Sequence, residues 1–168
     1  MRFHLDTFQS PVGPLLLVWD EAERLRLLHF GEDERHVHRH LARHVPIYLL
    51  EHGEAPAAIA GPLRRYFDGH ILALAEIPTL SDGTDFQRKV WAALKEIPAA
   101  TTMSYGALAE RIGSPGASRA VGMANNANPI GIVVPCHRVI GSGGTLTGYA
   151  GGLDRKQWLL DHERRHAS

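Results

Sequence analysis

The chain has 168 residues, 44% of them hydrophobic, with 18 Lys+Arg against 18 Asp+Glu and one cysteine. That length supports one domain or two small ones, and no apolar run approaches the roughly 20 residues of a membrane span. Nothing after Met1 resembles a secretion signal, so a cytoplasmic protein with no membrane partner is expected.

Residues 3–9, 15–19 and 25–30 read as strands of an antiparallel meander, turned at Ser10-Pro11-Val12-Gly13 and at the acidic Asp20-Glu21-Ala22-Glu23. Helical spacing marks residues 32–44 and about 62–67, and the stretch on to Leu80 carries no clear pattern. On the first of these helices His36, His40 and His44 fall at i, i+4 and i+8, an exposed histidine-rich face with a metal site as the minor alternative. Ser81-Asp82-Gly83-Thr84 gathers turn formers and places a domain boundary between residues 82 and 83. Charge divides there too: residues 1–82 hold 8 Lys+Arg against 12 Asp+Glu, a net −4, whereas residues 83–168 hold 10 against 6, a net +4. A basic half suits a phosphate-rich partner, as it also suits many enzymes.

Thr84 is placed to cap a helix over residues 86–97, on which Phe86, Val90, Ala93, Leu94 and Ile97 make an apolar face before Pro98. A short helix over 105–112, the turn Gly113-Ser114-Pro115-Gly116 and a helix over about 117–125 have the outline of a helix-turn-helix, which a generic helical hairpin shares. Residues 130–134 are apolar and partly β-branched, so a buried strand or extended segment is predicted to lead into Pro135-Cys136. A glycine-rich loop over 141–152 and a helix over 154–165 complete the chain.

The lone thiol of Cys136 cannot make an intramolecular disulfide and is poor equipment for a thiolate metal site. A free cysteine is only a few per cent thiolate at neutral pH, so a nucleophilic one needs a base or a positive field, and often a carboxylate to orient the base. His137 is adjacent, and the last helix offers Asp161, His162 and Glu163. Neighbouring side chains on an extended segment point to opposite faces, so a water or a bend must join sulfur to imidazole if the two work together. The residues alone leave a nucleophile and a small buried hydrophobe both open.

Several spaced elements then carry a resemblance: Tyr105-Gly106-x-Leu108-Ala109, Arg119-Ala120-Val121-Gly122, Asn128-Pro129, Ile132-Val133-Val134-Pro135-Cys136-His137-Arg138-Val139-Ile140, Gly148-Tyr149-Ala150-Gly151-Gly152 and Lys156-x-Trp158-Leu159-Leu160-x-x-Glu163. In register from about Thr84 to Glu163, the chain closely resembles the O6-alkylguanine-DNA alkyltransferases, and Ser10-Pro11-Val12-Gly13-Pro14-Leu15 resembles the opening of their bacterial members.

The resemblance implies an α+β protein: residues 1–82 a small antiparallel sheet with helices, RNase H-like, and residues 83–168 a mainly helical, winged-helix-like unit with a helix-turn-helix. It implies direct-reversal repair in which an alkyl group leaves O6-alkylguanine, and in some members O4-methylthymine, irreversibly for Cys136, once per molecule. Glu163, His137 and a water would activate the thiol, Asn128 would fix the turn, and Tyr105 would rotate the nucleotide out and protonate the departing guanine. Arg119 would fill the vacated stack, while Gly106, Ser114, Ala117 and Ser142 would meet the DNA backbone in the minor groove. Small residues at 117, 120, 122 and 124 would let that helix approach closely. Val139, Tyr149, Ala150 and Gly151 would line the substrate pocket. A monomer with no organic cofactor and no metal is expected; the cysteines that some mammalian members use for zinc have no counterpart here. Ala150 and Gly131 replace a serine and a proline of mammalian members, implying different pocket walls. The rival classes are a non-catalytic lesion-binding protein of the alkyltransferase-like group, against which the presence of Cys136 argues, and a thiol hydrolase using Cys136 and His137.

Overall fold

The computed structural model describes residues 1–167, which fall into two compact units, one of Met1–Asp82 and one from Gly83 onward.

In the first unit, strands β1 (Arg2–Ser10), β2 (Gly13–Asp20) and β3 (Leu25–Phe30) form the predicted antiparallel meander. Helix α1 (Glu34–His44) follows, then strand β4 (Leu49–His52) and helix α2 (Ala57–Phe67). The sheet order is β3-β2-β1-β4, and β4 runs parallel to β1, so the sheet is mixed and not wholly antiparallel as the sequence pattern implied. The fourth strand is only four residues long and mostly exposed, and its partner Arg2–Leu5 supplies a pairing that its own sequence does not advertise. Phe3, Leu5, Leu16, Val18 and Leu27 of the sheet pack on Val37, Leu41 and Val45, one apolar stripe of α1 against one sheet face.

Helix α2 begins five residues before Pro62, where the sequence suggested a start at the proline. One missing N–H is tolerated because Ile59, Leu63 and Tyr66 are fully buried on that helix and tertiary packing outweighs the local loss. Buried Arg26 donates to Asp20 at 3.1 Å and to both oxygens of Asp82 at 2.8 Å, tying the end of the unit back to β3.

The histidine face of α1 is less exposed than predicted. His36 stacks on His29 with ring centroids 3.8 Å apart, and the His40 and His44 rings lie 4.8 Å apart. Burial holds His36 below its usual range and pushes His40 down to about 4. Among the described residues no group of His, Cys, Asp or Glu is arranged to hold a metal ion, and no helix is long and apolar enough to cross a membrane.

The second unit opens with helix α3 (Asp85–Leu94), capped by Thr84: its Oγ1 accepts from Gln87 N at 3.1 Å while Gln87 Oε1 accepts from Thr84 N at 2.9 Å. Thr84→Ala is expected to cost about 1 kcal/mol, read as a lower urea midpoint at unchanged slope. The helix ends at Leu94 and not at Ile97; a tighter turn with Ile97 N donating to Leu94 O at 3.1 Å brings Ile97 into the core ahead of Pro98.

Strand β5 (Met103–Ser104) leads into α4 (Tyr105–Arg111), whose cap is Ser104. The turn to α5 (Ser118–Asn126) uses positive φ at Gly113 (+79°) and Gly116 (+88°), a conformation that side chains rarely adopt. Buried Trp91 donates its indole N–H to Ala124 O at 2.8 Å and holds α3 on α5. A 3₁₀ turn over Cys136–Arg138, strand β6 (Val139–Ile140), paired parallel with β5, and α6 (Leu153–Arg165) follow.

Candidate active site

Residues 130–134 form a compact buried turn and not the predicted extended segment. Val133 N donates to Gly131 O at 2.7 Å, Val134 N to Ile130 O at 3.0 Å and Cys136 N to Val134 O at 2.8 Å. Ile132 sits at φ +68°, a strained position for a β-branched residue. The turn is held by Asn128, whose amide donates to Val134 O at 2.8 Å and accepts from Ile130 N at 3.1 Å. Pairing that the run cannot find in a strand is thus supplied by one side chain. The turn delivers Cys136 into a 3₁₀ segment, and Asn125 donates to the Cys136 carbonyl at 3.4 Å.

The two residues after Cys136 belong to a buried ionic array. His137 and Glu163 are fully buried, and His137 Nε2 lies 2.7 Å from Glu163 Oε2. Arg138 donates to the same carboxylate through Nε at 2.8 Å and Nη2 at 3.0 Å, and to Ile97 O at 2.8 Å. Ala100 N adds a longer contact to Glu163 Oε1 at 3.4 Å. Burial works against ionisation of Glu163, but the interactions of His137 and Arg138 outweigh it and hold the carboxyl well below the usual range. Arg138 carries the compensating charge, because burial lowers the His137 pKa despite Glu163 and keeps the imidazole neutral. An ionised carboxylate can only accept, so the imidazole proton is assigned to Nε2 and the lone pair to Nδ1. Nδ1 is buried and has no hydrogen-bond partner among the described residues.

Burial pushes the Cys136 thiol up, while a hydrogen bond from Asn128 and the charge of Lys156 pull against it. The resting sulfur is therefore a protonated thiol.

The remaining predicted residues lie on β6 and the glycine-rich loop and on the helix pair. Tyr105, half-buried at the start of α4, has its hydroxyl 3.4 Å from Thr147 O and 3.3 Å from Thr147 Oγ1. Val139 and Gly151 are buried, Tyr149 is half-buried, and Ala150 is exposed in the glycine-rich loop. Arg119, Gly106 and Ser142 are exposed, and Ser114 and Ala117 are half-buried. Of the small residues on α5, Ala120 is exposed, but Ala124 is core, where its size serves packing against α3. Gly122 faces Tyr105; a Cβ there would meet the ring at 3.8 Å.

Sequence reasoning gave no role to Arg138, Lys156 or Thr147. The signal for Lys156 was present: it shares a helix face with Leu159, Leu160 and Glu163 at i, i+3, i+4 and i+7, and all four are buried.

The pattern of the 6-O-methylguanine DNA methyltransferase DNA-binding domain matches residues 85–165. A methylated-DNA–protein-cysteine methyltransferase of Shigella flexneri is 47% identical over 165 residues, 97% of this chain and 96% of the relative. The chain belongs to this family. The crystal structure of the Mycobacterium tuberculosis O6-methylguanine methyltransferase aligns with a TM-score of 0.79 at 40% identity, covering 99% of this chain and 95% of that one. The M. tuberculosis OGT crystallised in complex with DNA aligns equally well, at 41% identity. The described residues have an α+β organisation, with a small sheet and six α-helices, and match that crystal structure in fold.

Proposed function

We propose that this family member repairs DNA by direct reversal, moving the alkyl group of O6-alkylguanine in duplex DNA to its own Cys136. The observation that carries the reading is the buried array in which Glu163 holds the imidazole of His137, the residue that follows the only cysteine in the chain. His137 Nδ1 takes the thiol proton across one water. The sulfur attacks the alkyl carbon, a C–S bond forms as the C–O6 bond breaks, and the electron pair passes into guanine. Tyr105 protonates the departing base and solvent carries the proton held by His137 back to the phenolate, so the net exchange is one alkyl group for one proton. Asn128 keeps Cys136 on its turn. Val139, Tyr149, Ala150 and Gly151 wall the pocket.

A base can reach a thiol in this setting only if it leaves the helix stack. In this reading α5 enters the minor groove, whose degenerate edges suit a lesion in any sequence context. Exposed Arg119 occupies the vacated space, and Gly106, Ser114, Ala117 and Ser142 contact the DNA backbone. The first unit is an RNase H-like support, the second is winged-helix-like, and the protein acts as a cytoplasmic monomer with O4-methylthymine as a second possible substrate.

A thioether has no ready leaving group, so each molecule acts once. Mixing the protein with duplex carrying labelled O6-methylguanine should transfer one methyl per chain, with the label on the peptide containing Cys136. Label on any other residue, or continued turnover on an ester or amide with no transfer, would sink the reading.

A further inference from the structure

Lys156 is fully buried on α6, yet the transfer steps above give it no task. An ammonium ion out of water is costly unless firmly paired, and Lys156 has no carboxylate partner among its hydrogen bonds. Its Nζ donates at 2.7 Å to the carbonyl of Thr147, in the glycine-rich loop. The same carbonyl lies 3.4 Å from the Tyr105 hydroxyl, and Thr147 Oγ1 lies 3.3 Å from that hydroxyl. Thr147 is therefore a junction between α6, the loop and the residue at the start of α4.

We propose that Lys156 is a positioning residue for alkyl transfer: its buried ammonium pins the Thr147 carbonyl, thereby fixing the loop and the Tyr105 phenol, and contributes a positive charge to the acceptor site. The inference rests on the repair reading above. The electrostatics agree with the geometry: burial lowers the Lys156 pKa and raises that of Cys136, and the attraction between ammonium and thiolate opposes both shifts. The cation thus favours the state of the thiol that attacks, while the loop it holds is the one that must meet the flipped base.

Lys156→Met keeps the length of the side chain and removes the charge. Its methyl-transfer rate from O6-methylguanine duplex should fall about tenfold or more, the scale of one charged hydrogen bond. The pH midpoint of Cys136 alkylation by iodoacetamide should move upward, and the loss should be non-additive with Tyr105→Phe. Lys156→Gln can still donate to Thr147 but carries no charge; it should move the thiol midpoint and preserve the coupling to Tyr105, and it replaces the methionine variant should that one not fold. Wild-type transfer with an unchanged rate and thiol midpoint in the variants would overturn the inference. So would a slow variant whose thiol midpoint is unmoved and whose effect adds simply to Tyr105→Phe. Failure of the wild-type protein to transfer at all would instead refute the repair reading.

Discussion

Glu163→Gln should lose about 3–5 kcal/mol of folding stability, the cost of breaking a buried pair from one side, and should lose transfer activity with it. The substitution is isosteric, so the loss comes from donors and charge. Oε1 accepts from Arg138 Nε and Ala100 N, while Oε2 accepts from His137 Nε2 and Arg138 Nη2. Wherever the amide NH₂ is placed, it faces two donors. Turned toward His137, it also reverses the imidazole tautomer, putting the proton on Nδ1 and removing the base. Arg138, with 7% of its side chain exposed, is left with no counter-charge. Urea unfolding measures the first effect and a single-turnover assay the second. Adding Arg138→Met should recover stability and leave transfer impaired; a Glu163→Gln protein as stable as wild type would show that the array is not under this electrostatic constraint.

The same array links folding to acidity. The folded pKa values of His137 and Glu163 both lie below their unfolded values of 6.5 and 4.5. On acidification the unfolded chain takes up these protons first. The His137 contribution is complete above 6.5 and declines as pH falls below it; that of Glu163 follows below 4.5.

Elements with their own periodicity or punctuation were legible in the sequence. The continuous apolar run 15–19, the Thr84 cap and the glycines at 113 and 116 each encode local geometry, and each is found where the sequence placed it. Strand β4 and the turn over 130–134 were not legible, because their conformation is imposed from outside: one by the edge of β1, the other by the Asn128 side chain. Apolar character at 130–134 correctly foretold burial but not backbone shape, since a buried run has no exposed face to reveal a period. The site shows the same division. Cys136, His137 and Glu163 drew notice as chemical types, whereas the two cations that balance them, Arg138 and Lys156, look like ordinary surface charges until the fold buries them. A long basic side chain is read as solvated by default, and only tertiary packing reverses that.

His137→Gln should slow transfer at neutral pH by about 10²–10⁴-fold, the usual contribution of a positioned base, and should change the shape of the pH profile. In the wild-type protein the base is already neutral near pH 7, because burial depresses its pKa. The rate should accordingly be flat through neutrality and fall tenfold per unit only below the His137 pKa, which lies under 6.5. Glutamine cannot accept the thiol proton, so the variant must draw on the thiolate that forms without help. Burial raises the Cys136 pKa above its ordinary 9.0, and that fraction is minute at pH 7. The residual rate should then climb tenfold per pH unit through neutrality and beyond pH 9, approaching the wild-type rate only where the thiol ionises by itself. Single-turnover methyl transfer between pH 5 and 10 distinguishes the outcomes. A variant with the wild-type profile at reduced height would mean that His137 shapes the site without carrying the proton, and a variant of undiminished rate would remove it from the reaction.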